Sequence, residues 1–144
     1  MKYVLLLGRI LFSAIFILSI FGHFSRFDID YAALKGVPMA NILVPLAGII
    51  AFLGGQSVLL GYKARCGVWL IVLFLIPVTF WMHDFWNAAD PLEAVMQQAN
   101  FFKNLSMLGA ALIISFFGTG PLSLDNRPCC DTKHHKHNNK EDRG

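Results

Sequence analysis

Charge is what this sequence has least of. Asp, Glu, Lys and Arg make up 15% of the chain, against about 25% in an ordinary soluble domain. The shortage is local as well as general. No charged residue occurs between Gly36 and Tyr62, between Cys66 and Met82, or between Asn104 and Leu124. Cysteine is nearly as scarce, with only Cys66, Cys129 and Cys130, which excludes a disulfide-stapled secreted scaffold. No dinucleotide or flavin motif, haem ligand pair or metal triad is present, so any redox chemistry must come from a partner or a diffusible cofactor.

What fills the space is hydrocarbon. Apolar types account for 56% of the 144 residues and mean hydropathy is +0.55. A chain of one-domain length has no core large enough to hide that much apolar surface from water. Each charge-free run is close to the roughly 20 residues a helix needs to cross about 30 Å of hydrocarbon. A further run, from Tyr3 to Phe24, is interrupted only by Arg9. The expected fold is therefore an all-α membrane protein, a four-transmembrane-helix bundle with spans at about 3–24, 41–62, 66–83 and 104–120. Residues 1–124 form the membrane domain, and the polar, Cys/His-rich stretch 125–144 reads as a disordered tail. A cleavable signal peptide is the competing reading of the N-terminus. The apolar stretch is too long for it and no small-x-small pattern follows Phe24.

The few charges set an orientation. Four spans divide the flanks into two sides, and one side carries Lys2, Arg9, Lys63, Arg65, Arg127, Lys133, Lys136, Lys140 and Arg143, nine of the twelve basic residues. The other carries only Arg26, Lys35 and Lys103, together with Asp28, Asp30, Asp84, Asp90 and Glu93. Basic loops stay inside, so both termini are expected in the cytoplasm of a bacterial-type inner membrane. The net charge of +3 thus reflects topology, and the expected surroundings are a lipid bilayer with no nucleic acid. Tyr62 and Trp69 near one boundary, and Trp81 and Trp86 near the other, suit interfacial rings.

Between the spans, Ser25 to Ala40 reads as a short amphipathic segment lying on the membrane, and Asp90-Pro91 as the capped start of a helix that runs into the fourth span. Glycines at 48, 54, 55, 61, 67 and 109 suit close helix packing in lipid. Pro77 is expected to kink the third span, its freed carbonyl being taken by a neighbouring helix or by Thr79.

Polar residues at membrane depth are candidates for function. They fall in two layers. The inner layer holds Arg9 and Gln56, and Arg9 admits two readings: snorkelling to the headgroups, or a contact inside the bundle with Gln56 or with carbonyls at a helix end. The outer layer holds His23, His83, Asp84, Lys103 and Asn104 at three helix ends. It is either a wet helix boundary or a ligand- or proton-handling site. In the tail, Cys129, Cys130, His134, His135 and His137 form a soft-metal donor set, although adjacent cysteines lack structural zinc spacing. Cys66 has no His near its depth to make it a nucleophile.

Several short motifs, taken in order, resemble the DoxX family of small membrane proteins over residues 8–127. They are Gly8-Arg9, Gly36-Val37-Pro38, Gly54-Gly55, Leu60-Gly61 with Lys63-Ala64-Arg65, His83-Asp84-Phe85-Trp86, Phe101-Phe102-Lys103-Asn104, Gly118-Thr119-Gly120 and Ser123-Leu124-Asp125. Two departures accompany them. Ala51 stands where many members have an acidic residue, and His23 where many have Lys. The resemblance implies a subunit or accessory of a membrane redox system linked to quinone or thiol/sulfur chemistry, at most co-catalytic, with membrane or peripheral redox protein partners and a quinone held by the outer layer. The alternatives are a small transporter or metal-handling protein using the tail, and a scaffold with no chemistry of its own.

Overall fold

A computed structural model describes residues 2–126. Six α-helices follow one another among them: α1 (Lys2–Leu18), α2 (Ile20–His23), α3 (Arg26–Leu34), α4 (Ala40–Leu60), α5 (Ala64–Met82) and α6 (Pro91–Phe117). No strand occurs among the described residues. The four stretches long and apolar enough to cross a membrane are Lys2–His23, Ala40–Leu60, Ala64–Asn87 and Pro91–Phe117. α6 is continuous from the Asp90-Pro91 cap into the expected fourth span.

Local chemistry explains the helix starts. Ser25 is extended and its hydroxyl accepts from the Asp28 N–H at 3.1 Å, opening α3. Asp90 does the same for α6, accepting from Glu93 N–H at 2.9 Å with Pro91 just inside the helix. The start of α5 cannot be explained locally. Lys63 sits in the left-handed region and offers no capping side chain. The N–H groups of Lys63 and Ala64 donate instead to the carboxylate of Asp125, at 2.9 and 3.1 Å. The segment after α6 therefore turns back onto the α4–α5 link, and the Asp125 N–H also reaches the Gly61 carbonyl at 2.8 Å.

α4 and α5 form the centre of the molecule; α1 packs on α4 and α6 on α5. Phe16, Ala51, Val58, Val68, Ile71, Leu75 and Ala111 make the shared interior. α4 and α5 can be central because small residues face each other. A Cβ placed on Gly54 would lie 2.8 Å from the Gly67 carbonyl oxygen and 2.8 Å from Ile71 Cγ1. Backbones at that separation gain dispersion contacts that lipid cannot match. The outward faces of the helices carry Leu, Ile, Phe and Val, as a hydrocarbon solvent requires.

Pro77 lies within α5, which continues through it. Thr79 is not the group that satisfies the freed carbonyl: its hydroxyl donates to Leu75 at 2.6 Å, whereas Pro77 withholds the N–H that would reach Leu73.

Candidate ligand cavity and its polar rim

Arg9 settles its own two readings by geometry. It is 5% exposed, and its guanidinium donates to the carbonyls of Val58 (3.2 Å), Leu59 (2.5 Å), Leu122 (3.2 Å) and Thr119 (3.5 Å). The first two belong to the last turn of α4, where helix geometry leaves carbonyls without partners. The others belong to the segment after α6. Snorkelling to the headgroups is thus not what the side chain does, and no hydrogen bond joins it to the half-buried Gln56. Near this basic end, Lys63, Arg65, Cys66, Phe117, Pro121 and Asp125 line an open cavity of about 710 Å³. Cys66 is free and exposed. Cys129, Cys130, His134, His135 and His137 lie outside the described residues, and among the described ones no group of three His, Cys, Asp or Glu side chains is placed to hold a metal.

The opposite, acidic end holds a second cavity of about 470 Å³ between α4 and α5, roofed by α2 and α3, within the about 300–1,000 Å³ typical of small-molecule sites. Its body is apolar: Val44, Ala47 and Ile50 from α4, and Phe74, Pro77, Val78 and Trp81 from α5. Leu43, Leu46, Leu73 and Trp81 are exposed on the outside of the bundle as well, so the cavity opens sideways toward lipid. Its polar groups are His23, Asp28 and His83.

Each of these is held by a distinct device. His23 closes α2 and lies against Gly48 of α4, where an added Cβ would fall 2.5 Å from His23 Cβ. Its Nδ1 is 2.8 Å from the Ser19 carbonyl. A carbonyl only accepts, so Nδ1 carries the proton. His83, just after α5, has its Nδ1 2.8 Å from Gln97 Oε1, while Gln97 Nε2 donates to the Tyr31 hydroxyl at 2.8 Å. α3, the α5 end and α6 are thereby tied together. The Asp28 carboxylate rests over Gly22, its Oδ2 being 2.5 Å from where a Cβ there would be.

The other outer-layer residues go elsewhere. Asp84 forms an ion pair with Lys35 at 2.8 Å, and Glu93 stands 3.7 Å from the same ammonium. Lys103 donates to Asn100 on an exposed face, and Asn104 is buried on α6; neither lines the cavity. Of the five residues singled out in this layer, only His23 and His83 meet there. Asp28, Tyr31, Lys35, Gly48 and Gln97 complete the arrangement. Gly48 is one of the glycines the sequence marks for close packing, whereas nothing in the spacing of the other four marked them, since the contacts join residues up to 66 positions apart.

The family model described as the SURF4 family matches residues 1–129. The chain belongs to the SURF4 family. The DoxX resemblance is therefore corrected: the match over residues 1–129 is to the SURF4 family, and short motifs such as Gly54-Gly55 and Leu60-Gly61 stand here at a close helix contact and a helix end. Among the SURF4 protein's relatives is the inner membrane protein YphA of Escherichia coli strain K12, 30% identical over 126 residues, covering 85% of this chain and 89% of that protein. The inner membrane protein YqjF of the same organism is 26% identical over 120 residues, covering 83% and 88%. No solved structure matches.

The Lys35 pair latches the α3 roof to the start of the α5–α6 loop. The hydrogen bond to Asp84, aided by the charges of Asp84 and Glu93, outweighs burial and raises the Lys35 pKa above its ordinary 10.5. A group whose folded-state pKa is raised stabilises the fold below its unfolded value and ceases to do so as pH climbs through the folded one. The thermal midpoint in detergent, followed by circular dichroism, should therefore show no latch-dependent change between pH 6 and 9 and should fall above about 10.5. Lys35→Met should start lower and lack that alkaline step. An identical alkaline profile in the variant would remove the latch.

Proposed function

We propose that this SURF4 protein is an inner-membrane ligand-binding protein that holds a membrane-soluble amphiphile in the cavity roofed by α2 and α3. Four spans and relatives named as inner membrane proteins support the location. The distribution of Lys and Arg supports an orientation with the acidic end outward. The observation that carries the reading is the cavity itself. An apolar body open to lipid ends in two imidazoles and a carboxylate, the layout of a site that takes a greasy chain laterally and fixes a polar head. A quinone-linked redox role draws its support from the DoxX likeness, which the SURF4 match replaces; holding an amphiphile needs no redox step.

Trp81 lines the cavity and reports on its occupancy. In full-length protein carrying Trp69→Phe and Trp86→Phe, reconstituted in phosphatidylcholine nanodiscs, a terminally brominated dodecanol should quench Trp81 with a saturable component. Adding Ala47→Phe should fill the cavity and leave only the linear quenching of a lipid-exposed indole. Linear quenching in both proteins, each with an unchanged helical spectrum, would overturn the reading.

A further inference from the structure

The charges around the cavity are not balanced. Asp28 brings a carboxylate to the rim, and among the described residues no side chain donates to it. The basic residue nearest in sequence on the same helix, Arg26, is exposed and forms no ion pair with a described residue, and Lys35 is already committed to Asp84 and Glu93. An uncompensated carboxylate beside hydrocarbon is costly, and ionisable groups persist in such places where something pairs with them.

The remaining polar lining is of the same kind. With both Nδ1 atoms engaged by carbonyl oxygens, at 2.8 Å in each case, Nε2 is the ring nitrogen that His23 and His83 have left, an acceptor in a ring that carries its single proton on Nδ1. Against the Asp28 carboxylate and the two Nε2 atoms stands the Trp81 indole N–H as the one side-chain donor among the other lining residues. Trp81 and Phe74 belong to the same lining, and aromatic rings attract cations. A carbonyl-headed ligand such as a quinone brings more acceptors to acceptors. A carboxylate-headed one adds repulsion from Asp28.

We infer that the amphiphile bound in this cavity has a positively charged, hydrogen-bond-donating head, an alkylammonium, paired with Asp28 and received by the His23 and His83 acceptors. This rests on the ligand-binding reading above and adds the chemistry of the head. Gly22 is part of the arrangement, since it lets the Asp28 carboxylate approach the end of α2 next to His23. Lys35, the lysine that closes the α3 roof, is held by Asp84 and Glu93.

Competition against the brominated dodecanol in the same Trp81 nanodiscs tests it, with dodecylamine, dodecanol and dodecanoate as chain-matched competitors at pH 7, concentrations being expressed as mole fraction in lipid. Dodecylammonium should displace the quencher at a mole fraction lower by about tenfold or more, the scale of a hydrogen bond to a charged group. Asp28→Asn should abolish that preference while keeping dodecanol binding, which also shows that the variant is folded. Equal potency of the three heads, a preference for dodecanoate, or an undiminished ammonium preference in Asp28→Asn would each overturn the inference while leaving the cavity a ligand site. Absence of any saturable quenching would overturn both readings together.

Discussion

Replacing Arg9 with Met should lower the stability of the folded protein by on the order of 3 kcal/mol, the largest effect expected of any single polar substitution here. The reasoning begins with helix ends. The last carbonyls of α4 have no intrahelical donors, and Gly61, left-handed at φ 63°, lets the N–H groups of Gly61 and Tyr62 return to Val58 and Ser57. Leu59 is still unserved. Arg9 serves it and reaches Leu122 and Thr119 with the same planar fork. Removing the guanidinium strands acceptors at about 1–3 kcal/mol each in a place water does not easily reach. It also frees the segment whose Asp125 caps α5. Arg9→Lys should recover only part of the loss, because an ammonium is a point charge without the fork. Denaturation by SDS in mixed micelles measures both. A wild-type midpoint for Arg9→Met would mean that the side chain lies among headgroups after all.

Gly54 should be almost as unforgiving, for a reason that has nothing to do with charge. A methyl group there meets the Gly67 carbonyl and the Ile71 side chain at 2.8 Å, and backbone cannot swing aside as the tip of a long side chain can. Overpacking of this kind costs about 1–3 kcal/mol for Ala, and Gly54→Leu should prevent α4 and α5 from associating. The control is Gly109 on α6, where an added Cβ meets nothing within 4 Å. Gly109→Ala should be neutral, or stabilising by up to about 1 kcal/mol through helix propensity. Equal losses at the two glycines, read as thermal midpoints in the same detergent, would show that helix propensity rather than interhelical contact governs both.

Both substitutions bear on the cavity at the far end of the molecule. Its walls are α4 and α5, whose separation Gly54 and Gly67 set, and its roof is held by Gly48 beneath His23, by the Lys35–Asp84 pair and by the chain from Tyr31 through Gln97 to His83. A site assembled from helix ends in this way depends on the helices keeping their mutual depth in the membrane. Arg9 and Asp125 fasten the basic end, and the roof contacts fasten the acidic one.

Hydropathy and local capping were enough to place the long apolar helices and the starts of α3 and α6, because lipid as a solvent selects long uncharged runs and because Ser25 and Asp90 act on N–H groups only three residues away. The Asp90-Pro91 start of α6 was legible for the same reason. Partnership was not legible. Asp125 falls in sequence with a polar tail, yet it caps a helix that begins 61 positions earlier. Asp28 looks like any loop acid until α3 folds over α2 and sets it beside His23. Lys103 and Asn104 share a level with His83 but point to other surroundings, because the rotation of a helix about its axis is decided by packing. Depth in the bilayer is a one-dimensional property that composition along a chain can encode. Which side chains meet at a given depth depends on helix rotation and on close glycine contacts, and these exist only once the helices have assembled.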